Sequence, residues 1–182
     1  MSDRKPYAPG PAHGARIGGN REGEQWTLIL IRELRHSPAM VWQAITDPTQ
    51  LAQWAPFDAN RSLTSVGPVT LTTVGTPTPQ VSETAVTRAD EPRLLEYDWG
   101  GNGIRWELEP LDGGGTRLTL WHNIDRRFIS WGAAGWHICF DVLDRLLAGD
   151  PLGRMAGPVL MKFDFWQPLT AEYAKHFELE RN

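Results

Sequence analysis

Residues 103–124 read GIRWELEPLDGGGTRLTLWHNI, and this stretch decides the fold class of the chain. Apolar and polar residues alternate before and after the DGGG cluster, which is typical of two antiparallel strands joined by a glycine-containing turn. Segments 69–74, 80–89 and 93–99 carry similar β-rich patterns, separated by Gly, Pro and Asp clusters. The central part of the chain is therefore predicted to be an antiparallel meander.

The sequence before the meander predicts one strand and two short helices. Residues 26–35, WTLILIRELR, favour a long first strand because they are β-branched and Leu-rich without Gly or Pro. Ser37 and Pro38 supply the capping residue and the proline that are common at a helix start. A second short helix is predicted over PTQLAQW, residues 48–54.

A helical period returns after the meander. In WGAAGWHICFDVLDRLLAGD, residues 131–150, the large apolar residues fall on one helical face, and Gly149 is typical of the residue that follows a helix. A last amphipathic helix is predicted over roughly 165–178. The fold class is therefore α+β, with helices before and after an antiparallel sheet.

Composition narrows the classes of function. The 182 residues are 41% hydrophobic and 22% charged, which fits one globular domain. The net charge of −4 and the scattered basic residues argue against nucleic acid as a partner. No apolar run approaches the roughly 20 residues that a bilayer requires, so no membrane partner is expected. The single cysteine, Cys139, and the absence of a signal-like start favour a cytoplasmic protein.

The N-terminal segment is predicted to differ from the rest of the chain. Residues 1–25 are rich in Gly, Pro and charge, with few large apolar side chains, so we expect a flexible arm there. The folded domain is expected to span residues 26–180.

Several segments carry a resemblance to a known family. These are LIRELRHSPAMVWQAITDP (30–48) with LAQW (51–54), the strands at 94–100 and 105–123, and the helix at 134–149. In these segments the chain resembles the SRPBCC superfamily, and within it the branch similar to the C-terminal domain of the activator of the heat-shock-protein-ninety ATPase. The resemblance implies a helix-grip fold, in which a curved antiparallel sheet wraps around a long C-terminal helix and leaves an apolar cavity.

The resemblance leaves three functions open, because the superfamily contains carriers and enzymes on one fold. The first is a binding protein that holds a small lipophilic or aromatic ligand. The second is an enzyme similar to polyketide cyclases or dehydratases. The third is a chaperone-associated interaction module of a bacterial protein, which would use an outer surface. No cofactor is implied.

Two histidines are the residues most suited to chemistry. His122 shares a strand face with Leu118 and Leu120, and His137 lies on the long helix beside Trp136, so both imidazoles are predicted to approach one cavity. They could exchange protons or bind a ligand oxygen, or they could be hydrogen-bonded structural residues. We predict a structural role for His137 and a ligand-facing role for His122.

Asp141 lies one helical turn after His137 and could orient its ring. His122, His137 and Asp141 could in principle bind a metal, but they lack the compact spacing of metal motifs, and no metal is expected. Cys139 is expected to be a buried, inert thiol.

The cavity wall is predicted to be apolar and aromatic, although the same residues could equally fill a core. Besides the two histidines, the predicted ligand contacts are Trp54, Phe57, Leu71, Trp99, Trp106, Leu120, Trp136 and Phe140. Trp121, Trp131 and Trp166 lie outside this set and suggest a homodimer.

Overall fold

The computed structural model describes residues 7–19 and 23–179. The strands in this part of the chain are β1 (Ala15–Gly18), β2 (Gln25–Leu34), β3 (Phe57–Ala59), β4 (Gly67–Thr73), β5 (Gln80–Asp90), β6 (Leu94–Trp99), β7 (Asn102–Pro110) and β8 (Thr116–Asp125). The helices are α1 (Pro38–Thr46), α2 (Pro48–Trp54), α3 (Ile129–Leu147) and α4 (Trp166–Leu179), with 3₁₀ turns at Arg126–Phe128 and Pro158–Lys162.

All the strands belong to one curved antiparallel sheet. Its order is β1-β2-β8-β7-β6-β5-β4-β3, so the meander from β3 to β8 is continuous and β2 pairs with the last strand. This is the predicted helix-grip fold, in which α3 packs against the sheet. Among the described residues, no helix combines the length and the apolar character that a membrane span requires.

The β7–β8 pair confirms the alternation read from the sequence. Ile104 pairs with His122, Trp106 with Leu120, and Leu108 with Leu118, and all six side chains are buried. Because alternate residues of a strand point to opposite faces, the charged residues between them lie on the other face of the sheet. The inner face of this pair forms part of the core beneath α3.

Local hydrogen bonds explain where the two short helices begin. The Ser37 hydroxyl accepts from the Met40 backbone N–H, and the Asp47 carboxylate accepts from the Gln50 backbone N–H, so each helix has a side-chain cap followed by proline. Trp54 then donates its Nε1–H to the Ala44 carbonyl over 2.9 Å. This bond fixes α2 against α1.

The N-terminal segment differs from the flexible arm predicted for residues 1–25. Ala15 and Ile17 are buried in β1, which pairs with β2, and the Arg32 guanidinium donates to the His13 carbonyl over 2.9 Å. The Tyr7 hydroxyl donates to Asp141 over 2.5 Å. The expectation is therefore corrected for residues 7–19, because backbone pairing and polar contacts hold a segment with little apolar area. Residues 1–6 and 20–22 lie outside the described residues.

Candidate functional site

A cavity of about 500 Å³ lies between the sheet, α3 and the segment around the second 3₁₀ turn. Its wall is mostly apolar and includes several aromatic rings. The wall residues are Pro56, Thr73, Val74, Thr76, Gln80, Trp99, Gly100, Asn102, His122, Ile124, Phe128, Trp131, Gly132, Gly135, Trp136, Cys139, Ala156, Gly157, Pro158, Leu160, Met161 and Trp166.

Two glycines on α3 shape the helical side of the cavity. A Cβ at Gly132 would overlap Cδ1 of Ile124, so glycine allows the helix to pack closely on this side chain of β8. A Cβ at Gly135 would meet no atom within 4 Å, because this position faces open space in the cavity wall. The helix therefore packs tightly at one position and leaves space one turn later.

The opposite wall depends on close backbone approach. Gly157 has φ of 82°, and a Cβ there would lie 2.8 Å from the Val74 carbonyl oxygen. Only glycine adopts this conformation without strain and tolerates that contact. The segment after α3 can therefore lie directly on the end of β4 and close the cavity.

His122 is the histidine that lines the cavity. Its side chain is 5% exposed, and Trp136 donates its Nε1–H to His122 Nδ1 over 3.0 Å. An indole N–H can only donate, so Nδ1 must accept, and the neutral ring carries its proton on Nε2. Nε2 is buried and has no hydrogen-bond partner among the described residues.

Burial lowers the pKa of His122 to about 4, because the charged imidazolium would lose its hydration. The ring is therefore neutral near pH 7. It can donate a hydrogen bond through Nε2–H, but its only lone pair is already occupied by Trp136. This arrangement suits recognition of an acceptor atom better than removal of a proton.

Trp99 holds the other side of the His122 ring. The two rings stack with centroids 5.6 Å apart and planes 23° apart. The indole N–H of Trp99 donates to the Thr73 hydroxyl over 2.9 Å, and Phe57 packs on the same indole from behind. Trp99 and Trp136 thus restrict both the plane and the protonation of the imidazole.

Exposed apolar side chains surround the opening of the cavity. Phe128 and Trp131 are each 46% exposed, with ring centroids 5.9 Å apart, and Met161 is 50% exposed. All three line the cavity as well as its mouth. Apolar groups left in water at an opening are typical of a binding surface.

Of the ten predicted ligand contacts, the structure places three in the cavity wall and seven elsewhere. Trp99, His122 and Trp136 line the cavity. The other seven are buried outside its wall, where they fill the core or pack on the far side of α3: Trp54, Phe57, Leu71, Trp106, Leu120, His137 and Phe140. The prediction that these seven line the cavity is corrected, because core and wall positions share one residue chemistry and only packing separates them.

His137 belongs to a buried polar cluster on the other side of α3. Consecutive helical residues point about 100° apart, so His137 cannot share the direction of Trp136. Its Nδ1 lies 2.7 Å from the Tyr173 hydroxyl and its Nε2 lies 3.5 Å from the Asp141 carboxylate. Arg32 donates to the same hydroxyl over 3.1 Å. The prediction that both histidines approach one cavity is therefore wrong.

Asp141 connects this cluster to the N-terminal segment. Burial alone would raise its pKa, but hydrogen bonds from His137 and Tyr7 outweigh that effect and hold the pKa below its usual value. Its contact with His137 is the one predicted from their spacing. Within residues 7–19 and 23–179, no three His, Cys, Asp or Glu side chains gather as a metal site requires.

Sequence reasoning missed much of the cavity wall. Phe128 and the segment 156–161 belong to connections between the predicted elements, where periodicity carries no signal. Gly135 on α3 was the available signal, because a glycine in a helix leaves space where a side chain would otherwise stand. Of the tryptophans suggested for a dimer, Trp131 is exposed and Trp166 is buried in the wall, whereas Trp121 lies against Arg105.

Comparisons with known proteins agree with this architecture. A family model described as "Activator of Hsp90 ATPase homolog 1-like protein" matches residues 35–148. No curated protein matches the chain in sequence.

Solved structures show the same fold at low identity. A conserved protein of unknown function, EF2215 from Enterococcus faecalis, is 19% identical with a TM-score of 0.64, covering 89% of this chain and 88% of its own. CalU16 from Micromonospora echinospora is 20% identical with a TM-score of 0.62, covering 88% of this chain and 94% of its own. MLL2253 from Mesorhizobium loti is 19% identical with a TM-score of 0.57, covering 68% and 97%.

Proposed function

Since the chain belongs to the activator of Hsp90 ATPase homolog 1-like family within the SRPBCC superfamily, we propose that it binds a small apolar molecule in its cavity. The observation that carries the proposal is the cavity itself, about 500 Å³ in volume and bounded mainly by apolar and aromatic side chains. Ligand sites commonly have this size and lining, with a few polar groups that orient the ligand. The exposed apolar residues at the mouth support entry of such a molecule from solvent.

An enzyme of the cyclase or dehydratase type is the alternative that the family leaves open. Such an enzyme needs a group that takes or gives a proton at the substrate. His122 is poorly suited to take one, because its Nδ1 accepts from Trp136 and burial holds its pKa at about 4. Burial also raises the pKa of the Cys139 thiol to about 12, so a thiolate nucleophile is disfavoured. These two features favour binding over catalysis.

A substitution at Gly135 tests the proposal. A phenylalanine side chain at this position would enter the cavity, because nothing lies within 4 Å of the Cβ site. The free energy of unfolding is expected to stay within about 1 kcal/mol of the parent value, since most residues are at least as favourable as glycine inside a helix. Binding of apolar ligands is expected to be lost.

The measurement is a thermal-shift and tryptophan-fluorescence screen of flat and aliphatic apolar compounds. A ligand at 100 times its dissociation constant is expected to stabilise the parent protein by about 2.7 kcal/mol, and Gly135→Phe by much less. Ala171→Phe, at an exposed position of α4, is the matched control and should bind like the parent. If no compound shifts the parent protein, an interaction module that leaves its cavity unused becomes the better account.

A further inference from the structure

We infer that the ligand of this cavity is a flat aromatic molecule with a hydrogen-bond acceptor, such as a carbonyl oxygen, that accepts the Nε2–H of His122. The inference rests on the proposed function, because it names the class of ligand for the same cavity. It depends on three features: the tautomer of His122, the unsatisfied state of its Nε2–H, and the aromatic walls on either side of the ring.

The first step is the tautomer. The Trp136 indole has a donor and no acceptor, and its Nε1 lies 3.0 Å from His122 Nδ1. Nδ1 therefore uses its lone pair, and the only proton of the neutral ring sits on Nε2. Because burial holds the pKa of the ring at about 4, this state persists at neutral pH. His122, a residue of the cavity wall, thus carries a buried donor and no free acceptor.

The second step is the unsatisfied donor. Nε2 is buried and finds no partner among the described residues, although buried polar atoms in folded proteins are nearly always hydrogen-bonded. The unsatisfied Nε2–H destabilises the free protein, and a ligand oxygen that accepts from it would remove this destabilisation. Nε2 is closed to water in the free protein, so the ligand must shift wall side chains slightly, as is common on binding.

The third step is the shape of the ligand. Trp99 stacks on the His122 ring, and Trp136 meets Trp99 edge to face with centroids 6.1 Å apart. Trp131 and Trp166 add further indole surface to the same cavity. Aromatic walls gain contact area and favourable ring geometry from a planar aromatic partner. A planar ligand with an edge carbonyl satisfies both the walls and the donor.

Three tricyclic probes of nearly equal shape test the inference. Fluorene has no strong hydrogen-bonding group, fluorenone carries an acceptor, and carbazole carries an N–H donor at the corresponding position. Fluorenone is expected to bind about tenfold more tightly than fluorene, since one recovered hydrogen bond corresponds to about that factor. Carbazole is expected to bind more weakly than fluorene, because its N–H would face another N–H. Titration by quenching of tryptophan fluorescence measures all three.

Two variants assign the preference to His122. In His122→Phe the donor is absent, so fluorenone and fluorene are expected to bind equally. In Trp136→Phe the indole donor is absent, so the imidazole can adopt the other tautomer and the penalty against carbazole should shrink. His36→Gln, at a position bonded to Asp144 and outside the cavity wall, is the control and should keep the parent order.

The outcomes separate this inference from the proposal on which it rests. Equal affinity of the parent protein for the three probes would overturn the role of His122 and leave the cavity proposal intact. A fluorenone preference that survives in His122→Phe would overturn it as well. Failure of all three flat probes to bind would overturn this inference, and the screen of aliphatic compounds would then decide the cavity proposal. The order in the parent protein needs no variant, so the test does not depend on whether a variant folds.

Discussion

The two histidines on opposite sides of α3, His137 within the helix and His122 on β8, differ in their hydrogen bonding. On one face, both ring nitrogens of His137 lie near polar groups, at 2.7 Å from the Tyr173 hydroxyl and 3.5 Å from the Asp141 carboxylate. On the other face, His122 has one partner, Trp136, and an Nε2 without any partner among the described residues. The exposed fractions of the two residues are 1% and 5%, so burial does not distinguish them.

Hydrogen-bond satisfaction is therefore the better guide to role than burial. A buried histidine whose ring nitrogens are both engaged stabilises the fold around it. A buried histidine with an unused donor at a cavity wall is costly to the free protein, and a ligand can remove that cost. On this basis the His137 face is structural and the His122 face is the candidate binding face.

The largest effect is expected from removal of residues 1–19, of which 7–19 are described and contact the His137 face. The deletion removes the buried side chains of Ala15 and Ile17 and the contact of Tyr7 with Asp141, and it takes the His13 carbonyl from Arg32. We expect the free energy of unfolding to fall by about 4 kcal/mol in chemical denaturation. Ligand binding on the other face should persist in the folded fraction. A decrease in the free energy of unfolding of less than about 1 kcal/mol would support the flexible arm predicted from composition.

The next comparison replaces each histidine with leucine. His137→Leu takes one polar partner from the Asp141 carboxylate and one from the Tyr173 hydroxyl, which keep Tyr7 and Arg32, so we expect a loss of about 3 kcal/mol. His122→Leu removes an acceptor from Trp136 but also removes an unsatisfied donor, so we expect a loss of only about 1 kcal/mol. Urea unfolding of both variants checks the difference. Equal losses would contradict the division between a structural and a binding face.

A smaller effect is expected from pH, and it isolates the His122 face. The pKa of His122 is about 4 in the folded protein against an ordinary value of 6.5, so the unfolded chain binds more protons between these values. The stability due to neutral burial is therefore complete above about pH 6.5 and is lost as the pH falls toward about 4. From about pH 7 to about pH 5 this loss is roughly 2 kcal/mol.

The control for this pH effect is His122→Leu, which lacks the titrating group. Its free energy of unfolding should depend less on pH than that of the parent protein, by the same roughly 2 kcal/mol across this range. Parallel pH profiles of the parent and the variant would show that His122 keeps its ordinary pKa in the folded protein. That result would also weaken the argument that the ring presents a fixed donor.

The sequence by itself determined the elements whose patterns are local. The alternation in residues 103–124 produced the β7–β8 pair with Trp106, Leu120 and His122 on one inner face, as predicted. The helical period of α3 and the cap at Ser37 were equally readable, whereas the Asp47 cap of α2 was recognised only in the structure. These features depend on the spacing of side chains along one element, and the sequence of that element alone gives this spacing.

Only the tertiary structure decided which apolar residues border a cavity and which fill the core. Trp106 and Trp136 have the same chemistry and contact each other, yet only Trp136 lines the cavity. The cavity lies beside Gly135, between α3, the segment 156–161 and the sheet. The spacing of these elements depends on contacts between residues that are distant in sequence. The same holds for β1, which has little apolar area of its own and becomes ordered by pairing with β2 and by contacts with the His137 face.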